Sequence, residues 1–305
     1  MKHHFLPRFY LKGFTDPDAD KEPEPYAWVY TLSKSEWKKR APKNIATQNE
    51  LYSYTDEKGG RNDDLEKILS LAEAQMAKLL TTRIQGRQQL DPQNLETMSY
   101  FLALMSTRLP GYLDQWSDFL AGIAKSTLDL LLSHPAAFEA ERRRYEQETG
   151  KRLPEGFGSE RVDLKNLKFV PKKPLVLMAA LAPINMMASI LFKMSWTFFT
   201  APRDGGFVTS DYPFCAYNPD LEGSPYGPGL AHKRTTMTLP LSAQVAVLVS
   251  WGALTTGYRE ASRSEIKKFN VRTIRSAGEF IVSAKPSFVG YDLVLAHSRG
   301  RLRTT

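Results

Sequence analysis

The first eight residues bring together side chains that can transfer protons and bind anions. His3 and His4 precede Arg8 in a segment that is otherwise largely aromatic. Histidine exchanges protons near neutral pH, and a guanidinium matches the geometry of a phosphate or carboxylate. Because neighbours in an extended chain point to opposite faces, His4 and Arg8 reach one anion only if the chain turns at Leu6-Pro7. The sequence predicts His4 as a catalytic acid or base, Arg8 as a catalytic anion clamp, and His3 as a further anion contact.

The same segment has a structural alternative. Phe5, Phe9, Tyr10 and Phe14 are large side chains whose burial would anchor the N-terminus in the core. The histidines and the arginine would then bond to nearby carboxylates, and the segment would be a clasp rather than a site. The residue types leave both interpretations open.

Two carboxylates and an arginine follow on a predicted helix. Glu66 and Glu73 lie within about 20° of each other around that helix and roughly 10 Å apart along it. That separation is too long for two ligands of one metal ion. Arg83 falls on the apolar face, where a buried arginine needs a carboxylate partner. We interpret Glu73 as a candidate catalytic base or metal ligand, with Glu66 and Arg83 supporting it; the alternative is a structural network of Glu and Arg.

Asp211 directly follows a predicted strand, within the sequence Ser210-Asp211-Tyr212-Pro213. Rigid scaffolds present functional side chains at strand ends, so Asp211 is a further catalytic candidate. Aspartate also caps turns, and the nearby proline favours that alternative. Arg108 is a candidate anion contact. A divalent metal ion is a candidate cofactor, because His, Glu and Asp can all bind one.

The elements that would position these residues follow an α+β pattern. We expect one domain with a small N-terminal β element, a helical centre, and a C-terminal, mostly antiparallel sheet with a flanking helix. These parts cover residues 1–60, 61–194 and 195–305. The predicted helices are 63–86, 93–109, 112–147 (broken near 134–135) and 264–277, and the main predicted strands are 26–32, 195–200, 206–209, 235–239, 245–250 and 280–283.

An uncharged run of eighteen residues, 175–192, needs a membrane test. Its length is at the lower limit for a membrane span, and Pro183 and Asn185 interrupt it. We predict a buried core helix and no membrane partner.

Composition and charge narrow the classes of protein. The chain has 305 residues, of which 42% are hydrophobic, and its single cysteine excludes an intramolecular disulfide. A cytoplasmic protein without a signal peptide is expected.

The net charge is +8, and residues 261–305 hold nine Lys or Arg against three Asp or Glu. Nucleic acid or another polyanion is therefore a candidate partner; a solvated helix face with a basic tail at 299–303 is the alternative.

Several motifs resemble those of a bacterial family, domain-of-unknown-function family 4238. They are His3-His4-x-x-Pro7-Arg8-Phe9-Tyr10-Leu11-x-x-Phe14, Pro42 to Ala46 with Leu51-Tyr52, Leu65-Glu66-Lys67 with Glu73, Arg108-Leu109-Pro110, Ser210 to Pro213, and Pro240-Leu241-Ser242. The opening motif is the most specific of these. The resemblance implies candidate positions and no reaction, because the family has no established activity.

Two functions remain open on the sequence alone. The chain has no phosphate-binding P-loop, no GxSxG elbow and no CxxC pair. One hypothesis is a hydrolase or transferase that acts on a phosphorylated substrate or nucleic acid, with or without a metal ion. The alternative is a non-catalytic polyanion-binding or regulatory module in which the N-terminal motif is a structural clasp. Whether the chain is an enzyme, its substrate and its oligomeric state stay open.

Overall fold

The computed structural model describes residues 2–56, 58–153, 167–202, 206–221, 227–251 and 257–292. The predicted α+β class is confirmed, with 47% helix and 19% strand. The chain divides into two compact units, residues 1–110 with 181–305, and residues 111–180. That it forms one domain stays a prediction. The predicted basic tail at 299–303 lies outside the described residues.

The strands and helices are numbered in chain order. The strands are β1 (Lys2–His4), β2 (Ala27–Thr31), β3 (Glu36–Arg40), β4 (Thr47–Asn49), β5 (Tyr54–Thr55), β6 (Arg61–Asn62), β7 (Ser195–Thr200), β8 (Thr209–Ser210), β9 (Cys215–Tyr217), β10 (Thr236–Pro240), β11 (Val245–Ser250), β12 (Gly257–Glu260) and β13 (Phe280–Ser283). The helices are α1 (Arg8–Lys12), α2 (Asp64–Leu79), α3 (Pro92–Thr107), α4 (Pro110–Leu132), α5 (Pro135–Thr149), α6 (Lys173–Leu181), α7 (Ile184–Phe192) and α8 (Arg263–Ser276).

The N-terminal motif forms a short strand and a short helix. β1 pairs antiparallel with β4, and α1 begins directly after Pro7, whose extended backbone turns the chain as the sequence required. Phe5, Tyr10 and Phe14 are buried, and Phe9 packs on Phe101 of α3 with ring centroids 5.7 Å apart. The predicted aromatic anchor is confirmed.

A four-stranded sheet joins the two ends of the chain. Its order is β3-β2-β13-β8, and all its neighbours are antiparallel. The sequence placed β2 in a separate N-terminal element. The structure instead pairs it with β13, where Tyr30 lies opposite Ile281 and both side chains are buried in one core cluster.

The second large sheet carries the C-terminal core. Its order is β12-β7-β11-β10-β9, and only the β12–β7 pair is parallel. Helix α8 begins with a capping box between Ser262 and Glu265. Its apolar face packs Ile266 and Phe269 against Phe199. The predicted helix at 264–277 and the strands at 195–200, 245–250 and 280–283 are confirmed.

The helices keep the predicted order. Asp91 caps α3 by accepting the N–H of Asn94, and α3 packs on α2 and α7. In the unit of residues 111–180, α4 and α5 are separated at His134, as predicted. Helix α2 continues into a π-helical turn, Leu80–Ile84, in which Arg83 is exposed and bonds to Gln88. The expectation that Arg83 is buried is wrong.

The apolar run at 175–192 is two nine-residue helices rather than one, with Pro183 between them. By length and composition, Lys173–Phe192 is the one stretch of the described residues apolar enough to cross a membrane, with a mean hydropathy of 2.1. Only 28% of its most apolar window is buried. The segment is helical, as predicted, but the prediction that it is buried in the core is wrong. The run carries no charge, and its second helix, α7, packs against α3.

Candidate acid–base site at the N-terminus

The alternation of strand β1 separates the two histidines. His3 is fully buried and His4 is half-buried. His4 Nε2 lies 3.2 Å from the carbonyl oxygen of Lys43. Since a carbonyl can only accept, Nε2 carries the hydrogen, and Nδ1 keeps a free lone pair in the neutral ring. Among the described residues, nothing bonds to Nδ1.

Burial lowers the pKa of His4 below its usual 6.5, and the positive charges of Arg8 and Arg108 act in the same direction. The bond to Lys43 and the charge of Glu73 oppose that shift. Its lowered pKa leaves the ring predominantly neutral at pH 7. His4 therefore has the protonation state that a general base needs.

Arg108 is a buried charge that braces the backbone of His4. It follows α3, and its side chain is 2% exposed. Its guanidinium donates to Glu73 Oε1 at 2.7 Å and to the His4 carbonyl oxygen at 2.6 Å. Nε also donates to the hydroxyl of Tyr52 at 3.3 Å. Arg108, and not Arg83, is the buried arginine that pairs with a carboxylate of α2.

Unlike Arg108, Arg8 has a guanidinium that could bind an anion from solvent. It is the first residue of α1, its side chain is exposed, and it makes no hydrogen bond or ion pair with the described residues. Its charge lies close enough to His4 to lower the pKa of that ring. The charges of Arg8 and Glu73 thus both act on the His4 ring, in opposite directions.

His3 belongs to an interior hydrogen-bond chain. Its Nδ1 accepts the backbone N–H of Tyr52 at 3.0 Å, and its ring stacks on the Tyr52 ring. Its Nε2 lies 3.3 Å from Ser53 Oγ, which in turn donates to Asp63. At the surface, Arg61 forms an ion pair with Asp63, which is the last member of this series of hydrogen bonds. His3 is thus enclosed by protein groups, and its predicted role as an anion contact stays a prediction.

The carboxylate of Glu66, near the hydrogen bonds around His3, is partly unpaired. The residue is half-buried, and its Oε2 is buried without a hydrogen-bond partner among the described residues. Burial raises the pKa of Glu66, while the nearby His3 and Arg108 lower it. A carboxyl in these surroundings holds a proton more readily than a free glutamate.

Asp211 lies in a turn at the end of β8. Its carboxylate accepts the backbone N–H groups of Gly278 at 3.1 Å, Glu279 at 2.8 Å and Phe280 at 3.4 Å. Burial raises the pKa of Asp211 to about 6, against the effect of these bonds. Asp211 thus caps a turn at 278–280 rather than one at Pro213, and no hydrogen bond joins it to the described residues around His4.

The described part of the chain offers no cluster of ligands for the candidate metal ion. No three His, Cys, Asp or Glu side chains of the described residues are placed to hold a metal ion. Tyr52 and the Lys43 carbonyl fix the two histidines, and neither was among the predicted site residues. Both belong to motifs noted above, 42–46 and 51–52, although their residue types carry no catalytic signal.

Comparison with known proteins identifies a family. No curated protein and no solved structure matches the chain. A family model described as a protein of unknown function, DUF4238, matches residues 2–287 of the 305. This span includes the opening motif, Glu66 and Glu73 of α2, Arg108 and Asp211. The chain belongs to the DUF4238 family.

Proposed function

We propose that the protein is a hydrolase or transferase that acts on a phosphorylated substrate, with His4 as the general base and Arg8 as the anion clamp. The observation that carries this proposal is the fixed His4 ring. Its Nε2–H is bound to the Lys43 carbonyl, its Nδ1 is free, and the charge of the unpaired Arg8 guanidinium acts on the ring. A base held in one tautomer beside a free cation is suited to proton transfer at an anionic substrate.

The reaction needs two contacts with the substrate. Arg8 binds two non-bridging oxygens of the phosphoryl group through its guanidinium fork. His4 Nδ1 takes the proton of a water or an acceptor hydroxyl as that oxygen bonds to phosphorus. The phosphorus–oxygen bond to the leaving group breaks, and the leaving oxygen receives the proton from Nδ1. His4 then returns to its neutral form.

Glu73 acts in this proposal as a positioning residue. Its Oε1 is bonded to Arg108, whose other terminal nitrogen holds the His4 carbonyl. The pair therefore fixes the backbone that carries the base, and a base or metal-ligand role for Glu73 is not needed. Asp211 supports the fold of the C-terminal turn instead.

Hydrolysis of p-nitrophenyl phosphate and bis(p-nitrophenyl) phosphate, with and without Mg²⁺, tests the proposal. His4→Gln keeps a donor toward Lys43 and removes the base, so we expect a loss of about 100-fold or more in kcat with an unchanged melting temperature. Arg8→Ala should raise KM and weaken binding of inorganic phosphate. Lys12→Ala, on the same short helix and also exposed, is the matched control. Turnover that survives His4→Gln, or no turnover together with no phosphate binding, contradicts the proposal.

A second candidate function is a non-catalytic module in which the N-terminal motif is a structural clasp. Arg108 is saturated by protein groups, as a structural clasp requires. If His4→Gln and Arg8→Ala lower the melting temperature and leave every activity unchanged, the motif is that clasp.

A further inference from the structure

An open groove of about 1020 Å³ lies between strand β9 and helix α8. β9 is an edge strand, because its one neighbour in the sheet is β10. The helix lines the groove with Lys267, Lys268, Arg272 and Arg275, and the strand side provides Phe214 and Tyr217. None of the described residues that line it is Asp or Glu.

The basic side chains share one face of α8. Lys268, Arg272 and Arg275 follow at spacings of four and three residues, which places them in one row. The row is about 10 Å long at 1.5 Å per residue. It thus presents cations at intervals along the groove, as a phosphate backbone requires.

Arg272 is the central residue of the groove. It is half-buried, and it has no carboxylate partner among the described residues. Its guanidinium donates to Thr236 Oγ1 at 3.3 Å and lies 4.9 Å from the centre of the Tyr217 ring. By contrast, Arg259 just before α8 pairs with Glu265, and Lys267 lies 3.5 Å from Asp292. A half-buried arginine without an anion is costly unless a ligand supplies one.

Tyr217 adds a partly exposed aromatic ring to the cations of the groove. Its ring is 36% exposed at the edge strand, while Arg272 holds it by a cation–π contact. A partly exposed aromatic ring set among cations is the arrangement on which bases of single strands stack while their phosphates meet Lys and Arg. A duplex keeps its bases stacked inside and gives Tyr217 no partner.

We propose that the groove between β9 and α8 binds single-stranded nucleic acid, with a base on Tyr217 and phosphates on Lys268, Arg272 and Arg275. This site is formed by different residues from the His4 site. Its binding therefore stands or fails independently of the proposed catalysis.

Fluorescence anisotropy of the full chain with labelled 12-nucleotide oligo(dT) and oligo(U) tests the proposal. A matched duplex, polyphosphate of similar charge and anionic phospholipid vesicles compete for binding. Tyr217→Leu removes the stack, Tyr217→Trp restores it, and the double variant Lys268→Glu/Arg275→Glu removes the cations. Lys78→Glu reverses one exposed charge on α2 and is the control.

We expect a single strand to bind, Tyr217→Leu to weaken it about tenfold or more, and Tyr217→Trp to bind at least as well as wild type. The double variant should also flatten the salt dependence, by about 0.7 in slope for each phosphate that the protein no longer neutralises. The proposal is overturned if no single strand binds, if Lys78→Glu weakens binding as much as the groove variants, or if Tyr217→Leu has no effect. Equal binding of polyphosphate or vesicles also overturns it, because binding would then not depend on a base stacked on Tyr217.

Discussion

Arg108 donates a 2.6 Å hydrogen bond to the backbone carbonyl of His4, across 104 positions of sequence. The same guanidinium pairs with Glu73, so the buried charge is neutralised where it holds the N-terminal strand. The backbone position of the candidate base thus depends on a buried residue from a distant part of the sequence.

Arg108→Leu should therefore destabilise the fold. The change leaves the His4 carbonyl and Glu73 without their donor, and breaking such a buried pair costs about 3 kcal/mol. We expect the free energy of unfolding in urea to fall by about that amount. Arg83→Leu, at an exposed position, is the control and should change it by less than about 0.5 kcal/mol. Equal effects of the two changes would show that the brace contributes nothing.

His4 should make stability depend on pH. Because its pKa is lower in the folded than in the unfolded chain, the unfolded chain binds more protons. Its contribution is therefore present above pH 6.5 and is lost as pH falls through the folded pKa. His4→Gln should remove this part of the pH dependence, measured as the difference from wild type in unfolding free energy at about pH 7.5 and 5.5. An identical pH profile for both proteins would contradict the buried, uncharged His4.

Asp211→Ala should lower stability without changing the chemistry. The substitution removes the acceptor of three part-buried N–H groups in the turn at 278–280, at a cost of about 1–2 kcal/mol. Asp220→Ala, which removes an exposed partner of Arg234, should cost less than about 1 kcal/mol. Activity per folded molecule should stay unchanged in both. A loss of turnover in fully folded Asp211→Ala would return Asp211 to the catalytic residues.

Gly13→Ala tests how the motif meets the C-terminal sheet. A Cβ at Gly13 would lie 2.9 Å from the Cβ of Ser242 and 3.1 Å from the carbonyl oxygen of Leu241. Since this contact involves backbone, we expect a loss of about 1–3 kcal/mol in unfolding free energy. Gly122→Ala is the matched control. Its Cβ meets nothing within 4 Å inside α4, so it should gain about 0.5–1 kcal/mol. If both changes stabilise the protein, the contact is looser than the distances indicate.

Local signals were enough to place most elements. Asp91 before Pro92 predicts the start of α3, and the capping residues around Ser262 accompany the predicted α8. Short strands such as β1 and β9 carry too few residues for a period-two pattern.

The partners of the site could not be read in the same way. Arg108 follows the last turn of α3, where an arginine is usually solvated, and only the fold places it beneath His4. Spacing put Glu73 near the apolar stripe of α2, yet nothing local identified which arginine it would meet. The Lys43 contact is a backbone carbonyl, which every residue type provides. Groups brought together from positions far apart leave no pattern in a short window of sequence.

The pairing of β2 with β13 determines when the sheet can form during synthesis. The hairpin of β2 and β3 emerges early, but its second neighbour spans Phe280–Ser283, about 250 positions later. Until then β2 has an open edge, which is a template for pairing with other chains. Contacts so distant in sequence also form slowly. A nascent or shortened chain that lacks β13 should therefore depend on chaperones or aggregate through β2.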